Sequence, residues 1–232
     1  STLGQLFALP DGSMFIHAKA STAAAMTASY LGQGAAVNIA DTMLVKSLVL
    51  AATVAVGDRT VTITTGGTAS ILADQFIDGY LIVPAGTSVA GGAGGRRWAI
   101  ATNNSAASGS ATLTVTLKEP VDVALAAGTV LVGLRENPYW GVIVTSADTA
   151  LTGPIVGVAP VAVSAGFYYL AQVRGPTECF VAGTILTIGE PVVASSAVAG
   201  AVAAVAATTI TDAKGQLGTL GWGMTLGAAN GN

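Results

Sequence analysis

The sequence predicts an all-β chain, built as β-sandwich or barrel subdomains with an extended N-terminal arm. Three observations carry this. Polar residues, mostly threonine, alternate with aliphatic ones in runs of five to eight residues, the period of a half-buried strand. Gly, Pro and Asn recur between those runs at turn positions. Apolar residues at helical spacing are scarce, which leaves a sandwich or barrel as the natural architecture.

Residues 1–44 lack sustained periodicity. Phe7, Phe15 and Tyr30 are set among Ala, Ser, Thr and Gly. A short helix over 22–30 is one reading; an arm that docks on a neighbour is the preferred one. Residues 45–138 form the first β subdomain. Thr60, Val61, Thr62, Ile63 and Thr64 alternate and stop at Gly66-Gly67. A strand at 80–83 follows Asp78-Gly79 and ends in the turn chemistry of 84–86. Residues 111–118 make the cleanest strand, with Leu113, Val115 and Leu117 facing one way and Thr112, Thr114 and Thr116 the other. Residues 129–134 complete this set.

Residues 139–232 form a second, barrel-like β subdomain, meeting the first near Asn137-Pro138. Its strand candidates are 140–145, 155–163, 167–173 and 184–188. Pro154, Pro160, Pro176 and Pro191 punctuate them, as proline does at strand starts and edges. Within 167–173, Phe167 and Tyr169 share one strand face and Tyr168 the other; these rings are expected mostly in the core, and whichever points outward is a candidate intersubunit anchor. Residues 91–95 and 103–109 read as loops. Ala-Gly-Thr recurs at 85–87, 127–129 and 182–184, at intervals of 42 and 55 residues. That spacing is too unequal for a solenoid or propeller and fits a reused turn into a strand.

Charge is the strongest functional clue. Only 21 of 232 residues are Asp, Glu, Lys or Arg, against about 25% in ordinary domains. A compact globule of this mass exposes on the order of 9,500 Å², or about one charge per 450 Å². Free monomers avoid such large apolar surfaces, so copies of the chain or another protein are expected to cover much of it. The net charge of −3 and pI near 4.9 argue against an electrostatic grip on nucleic acid.

The mean hydropathy of +0.67 raises a membrane reading. The uncharged stretch 191–211 is Ala/Val-rich, holds neither Leu nor Phe, and is flanked by Glu190 and Asp212. A spanning helix needs a more apolar run and usually basic flanks. A small-residue strand or loop, or a short helix using Val198, Val202 and Val205, is the reading, and no membrane partner is expected. The first residues have neither the basic nor the apolar region of a signal peptide. The single cysteine, Cys179, reads as a small buried hydrophobe, and a reducing compartment fits.

The search for chemistry is mostly negative. One histidine, His17, and one cysteine cannot supply a Cys/His zinc set. No G-x-S-x-G elbow is present, and the carboxylates are isolated. The glycines of 91–95 match neither phosphate-loop pattern. Asn103-Asn104-Ser105 is a formal glycosylation sequon, read as a chance match. Arg96-Arg97-Trp98 combines residue types that interfaces favour; the alternative is two solvated arginines with Trp98 packed inward. No catalytic, cofactor-binding or metal-binding residue is assigned, and the chain is expected not to be an enzyme. The interface candidates are Phe7, Phe15, Tyr30, Arg96, Arg97 and Trp98.

Several segments carry a resemblance: DQFIDGYLIV at 74–83, TLTVTLKEP at 112–120, ENPYWGVIV at 136–144, FYYLAQVRGP at 167–176 and VAGTILTIGEPV at 181–192, with 217–224 behind them. In style and order they resemble the capsid decoration, or cement, proteins of tailed bacteriophages. The resemblance covers roughly the two-thirds of the chain from about residue 74 onward, and rests on no diagnostic motif. It implies a non-enzymatic β protein, made in the host cytoplasm, that sits on the virion capsid surface and clamps neighbouring subunits. Its partners would be the major capsid protein and itself, as a homotrimer. The rivals are a tail or head-fibre subunit, a carbohydrate-binding or adhesive β-sandwich, and a hydrolase with a hidden site. An adhesin should present an exposed aromatic platform, a hydrolase a polar pocket, and a cement protein an extended terminus instead of either.

Overall fold

The structure is a computed structural model that describes residues 2–35, 48–65, 70–84, 93–109, 111–147, 151, 153–183, 186–204 and 220–222. The chain is all-β. In order the strands are β1 (Leu6–Ala8), β2 (Met14–Lys19), β3 (Leu31–Gln33), β4 (Leu48–Leu50), β5 (Thr60–Thr64), β6 (Tyr80–Ile82), β7 (Arg97–Asn103) and β8 (Thr112–Leu117). They continue as β9 (Leu131–Arg135), β10 (Ile143–Val144), β11 (Ile155–Val158), β12 (Tyr168–Arg174), β13 (Pro191–Ala194), β14 (Val202–Ala204) and β15 (Gly221–Trp222). Two compact units result: Ser1–Ala36 with Pro138–Asn232, and Val37–Asn137.

The unit Val37–Asn137 is a closed barrel in the order β4-β5-β8-β7-β6-β9. Its strands read in the sequence because they alternate. Val61 and Ile63 of β5 pair with Val115 and Leu113 of β8 and point inward. Thr60, Thr62 and Thr64 pair with Thr116, Thr114 and Thr112 on the outer face. Trp98 and Ile100 of β7, Leu81 of β6, and Val132 and Leu134 of β9 fill the interior with Phe76 and Leu125. Closing the sheet on itself pairs every strand on both sides and leaves no open edge.

The loop before β6 is held by one buried amide. Asn103 Oδ1 accepts the Phe76 N–H at 2.8 Å, and its Nδ2 donates to the carbonyls of Leu72 and Asn104. This seats Phe76, one of the largest fully buried side chains, in the core.

The other unit corrects three expectations. First, the N-terminal residues are not a free arm over the described 2–35; residues 36–44 lie outside the described residues. A six-stranded sheet has the order β1-β2-β12-β11-β3-β10, so three N-terminal strands interleave with three from beyond residue 138. The β2–β12 ladder runs from Tyr168↔Lys19 to Arg174↔Met14. The sequence signal was muted because the outward positions include an aromatic, Phe15, while the buried ones include the small Ala18. Second, residues 22–30 form turns with an isolated Met26↔Val163 bridge, not a helix. Third, the barrel lies in the earlier half. Among the described residues, the later half shares an open six-stranded sheet with the N-terminal strands.

The six-stranded sheet packs a core on each face. One face carries Ile16, Ala18, Val142, Val156, Tyr169 and Ala171. The other carries Leu31 and Val158 beneath Val181, Leu186, Val192 and Val202. The small sheet β14-β13-β15 supplies Val192, Ala194 and Val202 to this second core. Residues 191–204 are thus a small-residue hairpin; 205–211 lie outside the described residues. Among the described residues no helix is long and apolar enough to cross a membrane.

The 184–188 strand is also corrected. Residues 184–185 lie outside the described residues, and 186–188 run into a turn in which Glu190 N–H donates to Thr187 O and Glu190 Oε2 accepts the Thr187 N–H. The strands predicted at 140–145 and 155–163 are shorter, Ile143–Val144 and Ile155–Val158; Pro160, with no N–H to give, stands just past the latter.

Tyr169 Oη is buried with no hydrogen-bond partner among the described residues, and burial raises its pKa above the ordinary value. Tyr169→Phe removes a hydroxyl that lost water for nothing, so it should leave stability unchanged or raise it by about 1 kcal/mol. Thermal unfolding checks this.

Candidate functional site

Among the described residues, the β14-β13-β15 sheet contributes to the core on one half of the six-stranded sheet's outer face, over Leu31 and Val158. The strand registers define what the other half, β1-β2-β12, presents. Antiparallel partners share a face. Phe7 lies opposite Phe15, Phe15 opposite Gln172, His17 opposite Leu170 and Lys19 opposite Tyr168. Gln172 in turn lies opposite Val158, which belongs to the covered half. The open half therefore presents Phe7, Phe15, His17, Lys19, Tyr168 and Leu170. Tyr168 is 51% and Leu170 42% exposed, while Phe7, Phe15, His17 and Lys19 are half-buried.

These side chains hold one another. His17 and Tyr168 stack with ring centroids 5.2 Å apart and planes 18° from parallel. His17 Nδ1 is 3.1 Å from the Thr2 carbonyl oxygen. A carbonyl only accepts, so this bond places the proton on Nδ1. Lys19 Nζ lies 5.2 Å from the Tyr168 ring centroid and 5.7 Å from that of Trp140. The Trp140 ring is brought there because Lys19 N–H donates to Tyr139 O and Val142 N–H to Lys19 O. Leu6, Leu9, Phe167 and Val173, in the same strands or their flanks, are also more than two-fifths exposed, although Leu6, opposite Ile16, faces the other side of the sheet.

The predicted interface residues scatter. Phe7 and Phe15 meet on this face, although as paired strand residues and not on an arm. Tyr30 is used internally: its ring stacks on Phe180 at 4.9 Å, and Gly200 comes so close that a Cβ there would lie 2.2 Å from the Tyr30 ring. Trp98 is 7% exposed inside the barrel core, which is the inward-packing alternative for Arg96-Arg97-Trp98. Arg96 forms an ion pair with Asp122, and Arg97 lies 5.2 Å from the exposed Tyr80 ring. Both arginines are exposed, and neither belongs to the Phe7–Phe15 face.

Sequence reasoning placed the 167–169 rings mostly in the core and kept any outward-pointing ring as a candidate anchor, which Tyr168, 51% exposed, fits; it did not name His17, Lys19 or Leu170 as interface residues. Phe167 departs from the expected alternation because it precedes β12, in a turn where its N–H donates to Ser164 O; it is 65% exposed. The missed signal was the pairing of two segments about 150 residues apart, which no local period reports.

Among the described residues no cluster of three His, Cys, Asp or Glu side chains could hold a metal ion. Cys179 is half-buried; burial first, and the Glu178 charge second, push its thiol up to about 11. The folded state therefore holds its proton more tightly than the unfolded state. The associated stability is complete below pH 9 and is lost as pH rises toward 11. Iodoacetamide at pH 8 should modify native Cys179 far more slowly than the urea-unfolded chain, because the thiolate is the reactive form; mass spectrometry reads the difference. No protein-family model, curated protein or solved structure matches this chain.

Proposed function

We propose that the chain is a virion structural protein of the capsid-decoration kind, which attaches to an assembled shell through the open half-face of its six-stranded sheet. One observation carries this reading: a sheet face of paired aromatic and aliphatic side chains stands exposed on a chain with 9% charged residues. Monomers seldom leave such a face open, and Tyr and Phe beside a few charges are what interface centres favour. A protein that binds only the assembled shell stabilises it by mass action. The paired N-terminus removes the docking arm from this account, and the sheet face takes its place. The major capsid protein and further copies of the chain are the partners proposed.

A second reading, a carbohydrate-binding or adhesive β-sandwich, is favoured by the same exposed Tyr168, since aromatic platforms also suit saccharides, and by the pairing of the N-terminal strands into the sheet, which takes away the extended terminus expected of a cement protein. Against it, the Tyr168 ring is already stacked on His17 and contacted by Lys19, and its strand neighbour is the aliphatic Leu170. Immunogold labelling of the phage particles that carry the chain separates the readings. Gold close against the head supports decoration, gold on fibres projecting from the head supports the head-fibre alternative, and gold on the tail supports the tail-subunit or adhesive alternatives. Unlabelled particles, with glycan-array binding by the free protein, would favour the saccharide reading.

A further inference from the structure

We propose that the open half-face docks an apolar protein surface carrying one carboxylate, received by Lys19. This rests on the reading of that face as the attachment surface and names the chemistry of its partner. Among the six residues that define the face, Lys19 is the only one with a permanent charge. The described residues place no carboxylate within ion-pair distance of it, whereas Arg96 and Lys118 of the barrel unit are paired with Asp122 and Asp78.

The Lys19 ammonium rests instead against two rings, Tyr168 and Trp140. A cation over an aromatic face at an exposed site is held only weakly. That does not replace water around an ammonium once a partner covers the face, because an unpaired buried charge is costly. Docking onto Phe7, Phe15, Tyr168 and Leu170 therefore calls for an anionic group opposite Lys19. A carboxylate set in an apolar surface meets both needs. The same argument disfavours two of these faces packing symmetrically, since that would bring two Lys19 ammonium groups into one apolar interface without an anion.

The first test uses the purified full chain and a minimal probe. Phenylacetate, a ring bearing a carboxylate, is titrated against benzyl alcohol, its uncharged counterpart, with NMR observation of the Tyr168 and His17 rings and the Lys19 side chain. Phenylacetate should bind several-fold more tightly, and Lys19→Met should level the two ligands without altering the circular dichroism spectrum. Equal binding by both in the wild type, or a preference that survives Lys19→Met, overturns the inference.

The second test is co-sedimentation with particles. Lys19→Met should weaken attachment about tenfold and Lys19→Glu about a hundredfold or more, the range measured for close interfacial charge pairs. If Tyr168→Ser/Leu170→Asn abolishes attachment while both Lys19 variants bind as wild type, the docking face stands and the carboxylate inference falls. If none of the variants weakens attachment, the face reading itself falls. Retention on polygalacturonate in place of particles overturns the protein partner in favour of an anionic saccharide.

Discussion

The double substitution Tyr168→Ser/Leu170→Asn should lower attachment to the shell at least about a hundredfold, while both units stay folded. The two residues are adjacent along the open face of β12, each more than two-fifths exposed. Central aromatic and aliphatic anchors of an interface commonly cost about 2 kcal/mol or more each when removed. Their contribution to the free chain is small by comparison. Leu170 gives up little burial, and Tyr168 loses its stack on His17, so the fold should lose no more than about 1 kcal/mol. Co-sedimentation reads the attachment and thermal unfolding reads the fold. A variant that unfolds before wild type by tens of degrees would mean that these side chains support the sheet and are not spare surface.

Gly79→Ala should have the largest effect on the fold. A Cβ at Gly79 would lie 2.1 Å from the Arg135 carbonyl oxygen and 3.0 Å from that of Phe76. Both are backbone atoms, so no side chain can swing aside. Tyr80 and Arg135 are paired where β6 meets β9, one of the ladders that close the barrel. Relief therefore means parting those strands or unseating Phe76, at about 3 kcal/mol or more. Gly57→Ala is the control. Its φ is +97° but nothing lies within 4 Å of the added carbon, so only the backbone penalty of about 1–2 kcal/mol applies. Urea unfolding should show the barrel transition moved far down by the first change and slightly by the second. Equal shifts would contradict the contact-based account.

What the sequence disclosed follows from how local each signal is. Strands β5 and β8 were legible because threonine and aliphatic residues alternate without exception, one face wet and the other in the barrel. Strand β2 was not. Ile16 and Ala18 point inward and Phe15, His17 and Lys19 outward, so apolar character does not separate the faces. The sheet that β2 joins exists only through β12, far along the chain, and neither segment reports the other. The docking candidates followed the same rule. Phe7 and Phe15 stood out by residue type alone, whereas His17, Lys19, Tyr168 and Leu170 needed the register of the β2–β12 ladder to be recognised as one surface. Tyr30 and Trp98 stood out equally and turned out to be packed within their own units.

The most direct test of the proposed capsid role is an electron cryomicroscopy reconstruction of phage particles assembled in the presence of this chain. The account expects the unit of Ser1–Ala36 with Pro138–Asn232 to meet the shell through β1-β2-β12, with Tyr168 and Leu170 against capsid protein and a capsid carboxylate beside Lys19. A reconstruction with that face turned to solvent, or with the chain absent from the shell, would contradict it.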